Sequence, residues 1–121
     1  MGQRGAILPL MAICLAVLMG FAGLAVDIGY LEYQQENQQA ATDAAAMGAA
    51  QRAFADNCAN ASDAVSAAYS DAALNGYASA YVQATSPPSA GPYINDKCAV
   101  AVTNHQAEND IFLQAIRPNG P

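Results

Sequence analysis

Between Arg4 and Asp27 the chain carries no charged side chain, and the 21 residues from Ala6 to Val26 are almost wholly apolar. As a helix this run spans about 31 Å at about 1.5 Å per residue, matching a hydrocarbon core of about 30 Å. Arg4 precedes it, and Asp27, Glu32 and Glu36 follow it. The positive-inside rule then places Met1 in the cytoplasm and everything after Asp27 outside, on a single-pass anchor. A cleaved secretory signal peptide is the competing expectation. Its apolar region is about 7–15 residues long and ends in a small-x-small site. Ala22-Gly23-Leu24-Ala25 offers such a site, but the run is longer and helical character continues beyond it. The expected organisation is residues 1–5 as a cytoplasmic N-terminus or leader and 6–26 as a transmembrane helix. Residues 27–56 continue it as a stalk helix, and 57–121 form an extracytoplasmic head.

Within the anchor, Ala12, Ala16 and Gly20 recur every fourth residue, with Gly23 close by. Such a strip lets membrane helices approach closely, although small residues are also simply common there. Pro9 falls in the first turn, where its missing N–H costs least. Cys14 lies within the lipid-embedded run as a small apolar residue.

Net charge is −6, and all of it lies beyond residue 27. A surface this acidic repels phosphate backbones and argues against nucleic-acid binding. Alanine accounts for 29 residues, favouring helix but contributing little buried area. Beyond residue 27 only 14 Ile, Leu, Val, Met or Phe and six Tyr remain to build a core. A domain so poor in large apolar groups needs a covalent staple, a membrane anchor or neighbouring subunits. Cys58 and Cys98 are the two cysteines outside the anchor. In an oxidising compartment a bond between them closes a loop of about 40 residues, worth about 4 kcal/mol in the chain-entropy model. Free thiols and bonds between subunits are the alternatives.

No proline interrupts residues 10 to 86. Ile28, Leu31, Gln35, Gln38, Thr42, Ala45, Ala49 and Arg52 recur at spacings of three and four, which predicts a weakly apolar helical stripe. One helix from Ala6 to Phe54 would be about 73 Å long. Its Ala/Gln face is expected to pack closely against its own domain or a neighbour; a polar helix without a partner is the bland reading.

Three segments together carry a family resemblance. They are Arg4-Gly5, the exit Gly20-Phe-Ala-Gly-Leu-Ala-Val-Asp-Ile-Gly, and Gln39-Ala-Ala-Thr-Asp-Ala-Ala-Ala-Met-Gly-Ala-Ala. Residues 4–51 resemble the N-terminal module of the TadE/TadG-like proteins of bacterial tight-adherence (Flp) pilus assembly. The resemblance implies a minor-pilin-like or assembly subunit in the bacterial inner membrane or an extracellular filament. It also raises Gly5 as a processing site, although TadE-type pseudopilins carry a Glu five residues later, where this chain has Leu10. Gln34-Gln-Glu-Asn-Gln-Gln likewise stands where relatives place basic residues.

Past Phe54, Asp56-Asn-Cys-Ala-Asn breaks the helix, and Asn60 or Ser62 can cap a second one. Val65, Tyr69, Ala72, Ala73 and Gly76 form its stripe, and Leu74-Asn75-Gly76 is a stop. Tyr77 to Thr85 alternates as a strand would, with an uninterrupted helix to Ala84 as competitor. Ser86-Pro-Pro-Ser-Ala-Gly-Pro is a loop, Cys98–Thr103 is a strand with Val100 and Val102 on one face, and Asn109–Ile116 is a short helix or last strand. The fold expected is therefore α+β: a long helix and a small pilin-like head of helix plus short antiparallel sheet.

Residues that could carry chemistry are sparse. His105 is the single histidine and reads as a solvated loop residue. Asp56, Asn57, Asn60 and Asp63 could surround a hard cation, but their spacing fits no EF-hand loop. Asn60-Ala61-Ser62 is a three-residue glycosylation match of a kind frequent by chance. Tyr69, Tyr77 and Tyr81 read as packing or subunit contacts. No phosphate loop, zinc spacing or Gly-x-Ser-x-Gly occurs. The expectation is a structural subunit, not an enzyme, with no cofactor and no metal. Its partners are the membrane, like subunits or other pilus-assembly proteins, in a homo- or hetero-oligomer. A secreted soluble protein and a membrane-anchored partner-binding module are the alternatives.

Overall fold

A computed structural model describes residues 7–107. Gly5 and the segment Asn109–Ile116 lie outside the described residues. The elements run α1 (Ile7–Ala55), α2 (Ala61–Leu74), β1 (Val82–Thr85) and β2 (Ala101–Asn104). Helices and an antiparallel pair thus form the expected α+β fold. The described chain divides at Gln34/Gln35 into two units, and each is taken by itself.

Up to Gln34 the chain is α1 alone among the described elements. Its unbroken helix follows from Ala, Leu and Met content and from Pro9 standing in the first turn.

From Gln35 to Ala107 the chain forms a head. Ala41, Ala45, Ala49 and Ala53 recur every fourth residue on α1 and are all buried, as are Ala64, Ala68 and Ala72 on α2. Ala45 clusters with Ala72, and Ala49 with Ala68, so the two helices run antiparallel. Among the described residues, eight of the nine that form the buried core are alanine, with Val82 the ninth. Faces lined by methyl groups permit helix axes to approach at the short end of the usual range of roughly 8–10 Å.

Both helices end on the same device. Asn57, at φ 57°, lets the Cys58 N–H reach the Ala53 carbonyl at 2.7 Å and its own N–H reach Phe54 at 3.1 Å. Gly76, at φ 90°, does the same with Tyr77 to Ala72 and Gly76 to Ala73, both at 3.0 Å. These are Schellman closures with a left-handed residue just past the helix. The second is the stop expected at Leu74-Asn75-Gly76, and it excludes a helix to Ala84. Asn60 is the N-cap of α2 but makes no side-chain cap bond. Its amide oxygen instead accepts from the Ser62 hydroxyl at 2.7 Å.

β1 and β2 pair antiparallel, with Val82 opposite Asn104 and Thr85 opposite Ala101. Val82 and Ala84 face the helices and are buried, while Gln83 and Thr85 point away, as a two-residue period requires. Tyr69 packs against both alanine clusters, and its hydroxyl accepts the Ala84 N–H at 3.4 Å. Both strands are shorter than expected. Tyr77 to Tyr81 is spent on the Gly76 closure and on a turn in which the Tyr81 N–H reaches Ala78. At the other end the Cys98 N–H is taken by Asp96 Oδ1 and the Ala99 carbonyl by the Ser86 hydroxyl, so the ladder begins only at Ala101. Val100 and Val102 do share one face, packed on the Ala49–Ala68 cluster.

Candidate anchor and assembly surfaces

The surface a partner can use is best seen by asking which apolar groups the chain covers itself. In the N-terminal unit it covers almost none. The most apolar 18-residue window of α1 has a mean hydropathy of 2.5 and is 0% buried, so this one helix is long and apolar enough to cross a membrane. Ala12, Ala16 and Gly20 are exposed on it and Gly23 is half-buried. A Cβ added at Gly20 would meet nothing within 4 Å, so no contact of the described chain requires glycine there. Cys14 is an exposed free thiol. Asp27, which ends the charge-free run, is 1% exposed; nothing in the sequence pattern indicated that this carboxylate would be sheltered.

In the head the situation reverses. Of the stripe expected on α1, Ala45 and Ala49 are buried and Leu31, Gln38 and Thr42 half-buried, whereas Ile28, Gln35 and Arg52 are exposed. Ala41 and Ala53 complete the buried row. On α2 the expected Ala72 is buried together with Ala64 and Ala68, Val65 and Tyr69 are half-buried beside them, and Ala73 and Gly76 are exposed. The signal was present as alanine at every fourth position, but in a chain with so many alanines the period is hard to distinguish from composition. Gly48 completes the fit, because the carboxylate of Asp71 occupies the place its Cβ would take. Arg52 leaves the interface to meet Asp63 at 3.3 Å, an exposed pair of the kind worth about 0–1 kcal/mol.

Cys58 and Cys98 are joined by a disulfide across a sequence separation of 40, with Cα atoms 5.0 Å apart. It ties the loop after α1 to the segment leading into β2.

The remaining sequence candidates are not gathered into one site. Asn60 is engaged by Ser62 and Asp63 by Arg52, while Asp56 has one buried carboxylate oxygen without a hydrogen-bond partner. Among the described residues no three His, Cys, Asp or Glu side chains are grouped to hold a metal ion. Tyr69 and Tyr77 pack on the core and Tyr81 is exposed. His105 is exposed and sits at one end of an open groove of about 530 Å³ between α1 and β2, lined by Gln38, Thr42, Asp43, Val102 and Asn104. Within it Thr103 Oγ1 lies 3.5 Å from His105 Nε2.

An uncovered apolar helix followed by a small, disulfide-closed α+β head defines the class: a candidate membrane-anchored protein. Residues 5–52 match the model of the family described as "Putative Flp pilus-assembly TadE/G-like". The N-terminal part of the chain is therefore TadE/G-like, which supports a component related to Tad/Flp pilus assembly. The match ends inside α1, so α2, the sheet and the disulfide lie outside it. No curated protein and no solved structure matches the chain.

Proposed function

We propose that this chain is a structural, pilin-like subunit or membrane-anchored assembly component of a Tad/Flp-type pilus or related surface filament, and not an enzyme. The observation that carries the reading is the contrast in burial along α1. Its apolar window is 0% buried, while the alanines from Ala41 to Ala53 are covered by the chain's own head. A helix built this way leaves its first half to be solvated by something else. In a membrane that is lipid, with the N-terminus cytoplasmic and the head outside. In a filament it is the same stretch of neighbouring subunits, and Ala12, Ala16 and Gly20 are where the backbones approach.

The test is shear. Cells are sheared, and the released surface material is imaged by electron microscopy with antibody against the head. Labelling along filaments supports a subunit. Label confined to the inner membrane, with filaments still present, supports the assembly component. Label in neither place, with a soluble mature chain beginning near residue 26, would sink the proposal in favour of a secreted protein.

A further inference from the structure

The apolar surface of α1 does not stop at the acid that closes the charge-free run. Asp27 is 1% exposed, so its carboxylate is not presented to lipid. The large apolar side chains that reach outward just beyond it are Ile28, Tyr30 and Tyr33, at 50%, 37% and 61% exposure. At about 100° per residue, Met19, Val26, Tyr30 and Tyr33 fall within about 60° of one another around the helix. The two tyrosines thus continue a flank that Met19 and Val26 begin, while Glu32 projects elsewhere.

Their height agrees with this. With Val26 at the edge of the hydrocarbon, Tyr30 stands about 6 Å and Tyr33 about 10 Å further along the axis. A headgroup layer adds about 5–7 Å to each side of the core. Helical side chains lean toward the N-terminus, which here is the direction of the membrane, so both rings reach back toward it. A phenol suits that layer, with an apolar body for the acyl boundary and a hydroxyl for water and phosphate.

We infer that Tyr30 and Tyr33 are lipid-headgroup contacts, and that the lipid-facing surface of α1 runs past Asp27 to Tyr33. The inference rests on the membrane-anchor reading above. Its occupant is a bilayer because the patch is continuous with the apolar anchor and carries the aromatic type found at such boundaries.

The chain has no tryptophan, so single reporters can be placed in the full-length protein. V26W, Y30W, Y33W and N37W are reconstituted separately into phosphatidylcholine vesicles with brominated acyl chains, and fluorescence quenching is compared with that by aqueous iodide. The expected result is loss of V26W and Y30W emission to bromolipid alone. Y33W should respond to upper-chain bromine and in part to iodide, and N37W to iodide alone. Iodide quenching of Y30W and Y33W equal to that of N37W would overturn the inference, as would quenching of either by neither agent. A chain that fails to float with the vesicles, or a V26W that bromolipid leaves bright, removes the anchor reading and this inference with it.

Discussion

Gly48 shows how narrow the tolerances of the head are. An added methyl there would coincide with the carboxylate of Asp71. The carboxylate is the far end of a side chain that can turn, so the cost is that of displacing it. Opposing that cost, alanine gains about 1 kcal/mol over glycine inside a helix. Gly48→Ala alone should therefore be close to neutral, whereas in an Asp71→Ala background it should stabilise by about 1 kcal/mol. A double-mutant cycle followed by thermal unfolding measures the difference, and equal effects in both backgrounds would refute the contact. Glycine at this position could be read from the sequence, but the reason for it could not. The residue that competes for its space is more than 20 positions away and on another helix.

At the level of elements, the helix pair relies on smallness in place of bulk. Ala68 is 0% exposed and clusters with Ala49, which is also 0% exposed. Enlarging such a residue forces the backbones apart, and overpacking of this kind costs about 1–3 kcal/mol. Ala68→Leu should lower the unfolding midpoint of the head. Ala73→Leu, on the exposed side of the same helix, should leave it nearly unchanged. The existence, order and stops of both helices were legible from alanine content, from the absence of proline and from Leu74-Asn75-Gly76. Which face turned inward was legible in part: the expected stripes held Ala45, Ala49 and Ala72, which are buried, but also Ile28, Arg52 and Ala73, which are exposed, and they missed Ala41, Ala53, Ala64 and Ala68. Close approach selected the smallest residues. The sheet was legible in type and facing through Val100 and Val102. Its ends were set by competitors for backbone bonds, Asp96 and Ser86, that local alternation does not reveal.

For the whole molecule, stability is divided between environments. A buried methyl is worth about 0.8 kcal/mol, against about 1.5–3 kcal/mol for a leucine or phenylalanine side chain. A core of eight alanines and one valine is correspondingly thin. The Cys58–Cys98 bond closes a loop with a sequence separation of 40, and in the chain-entropy model that contributes about 4 kcal/mol. Reduction, or Cys58→Ser with Cys98→Ser, should lower head stability by about that amount. Helical ellipticity from the apolar part of α1 should persist in detergent, while near-ultraviolet tyrosine signals from Tyr69 and Tyr77 fade. Loss of both signals together would show that the two parts melt as one.

The spacing of those sulfurs also sets a timetable. A ribosome has finished the sequence of the α1–α2 hairpin by Leu74, but the second sulfur arrives only with residue 98. Through that interval the nascent hairpin is held by thin contacts, the alanine methyls with Val65 and Tyr69 beside them and the exposed Arg52–Asp63 pair. A newborn head is therefore easily unravelled, and it becomes durable in one late step, when an oxidant reaches the second thiol.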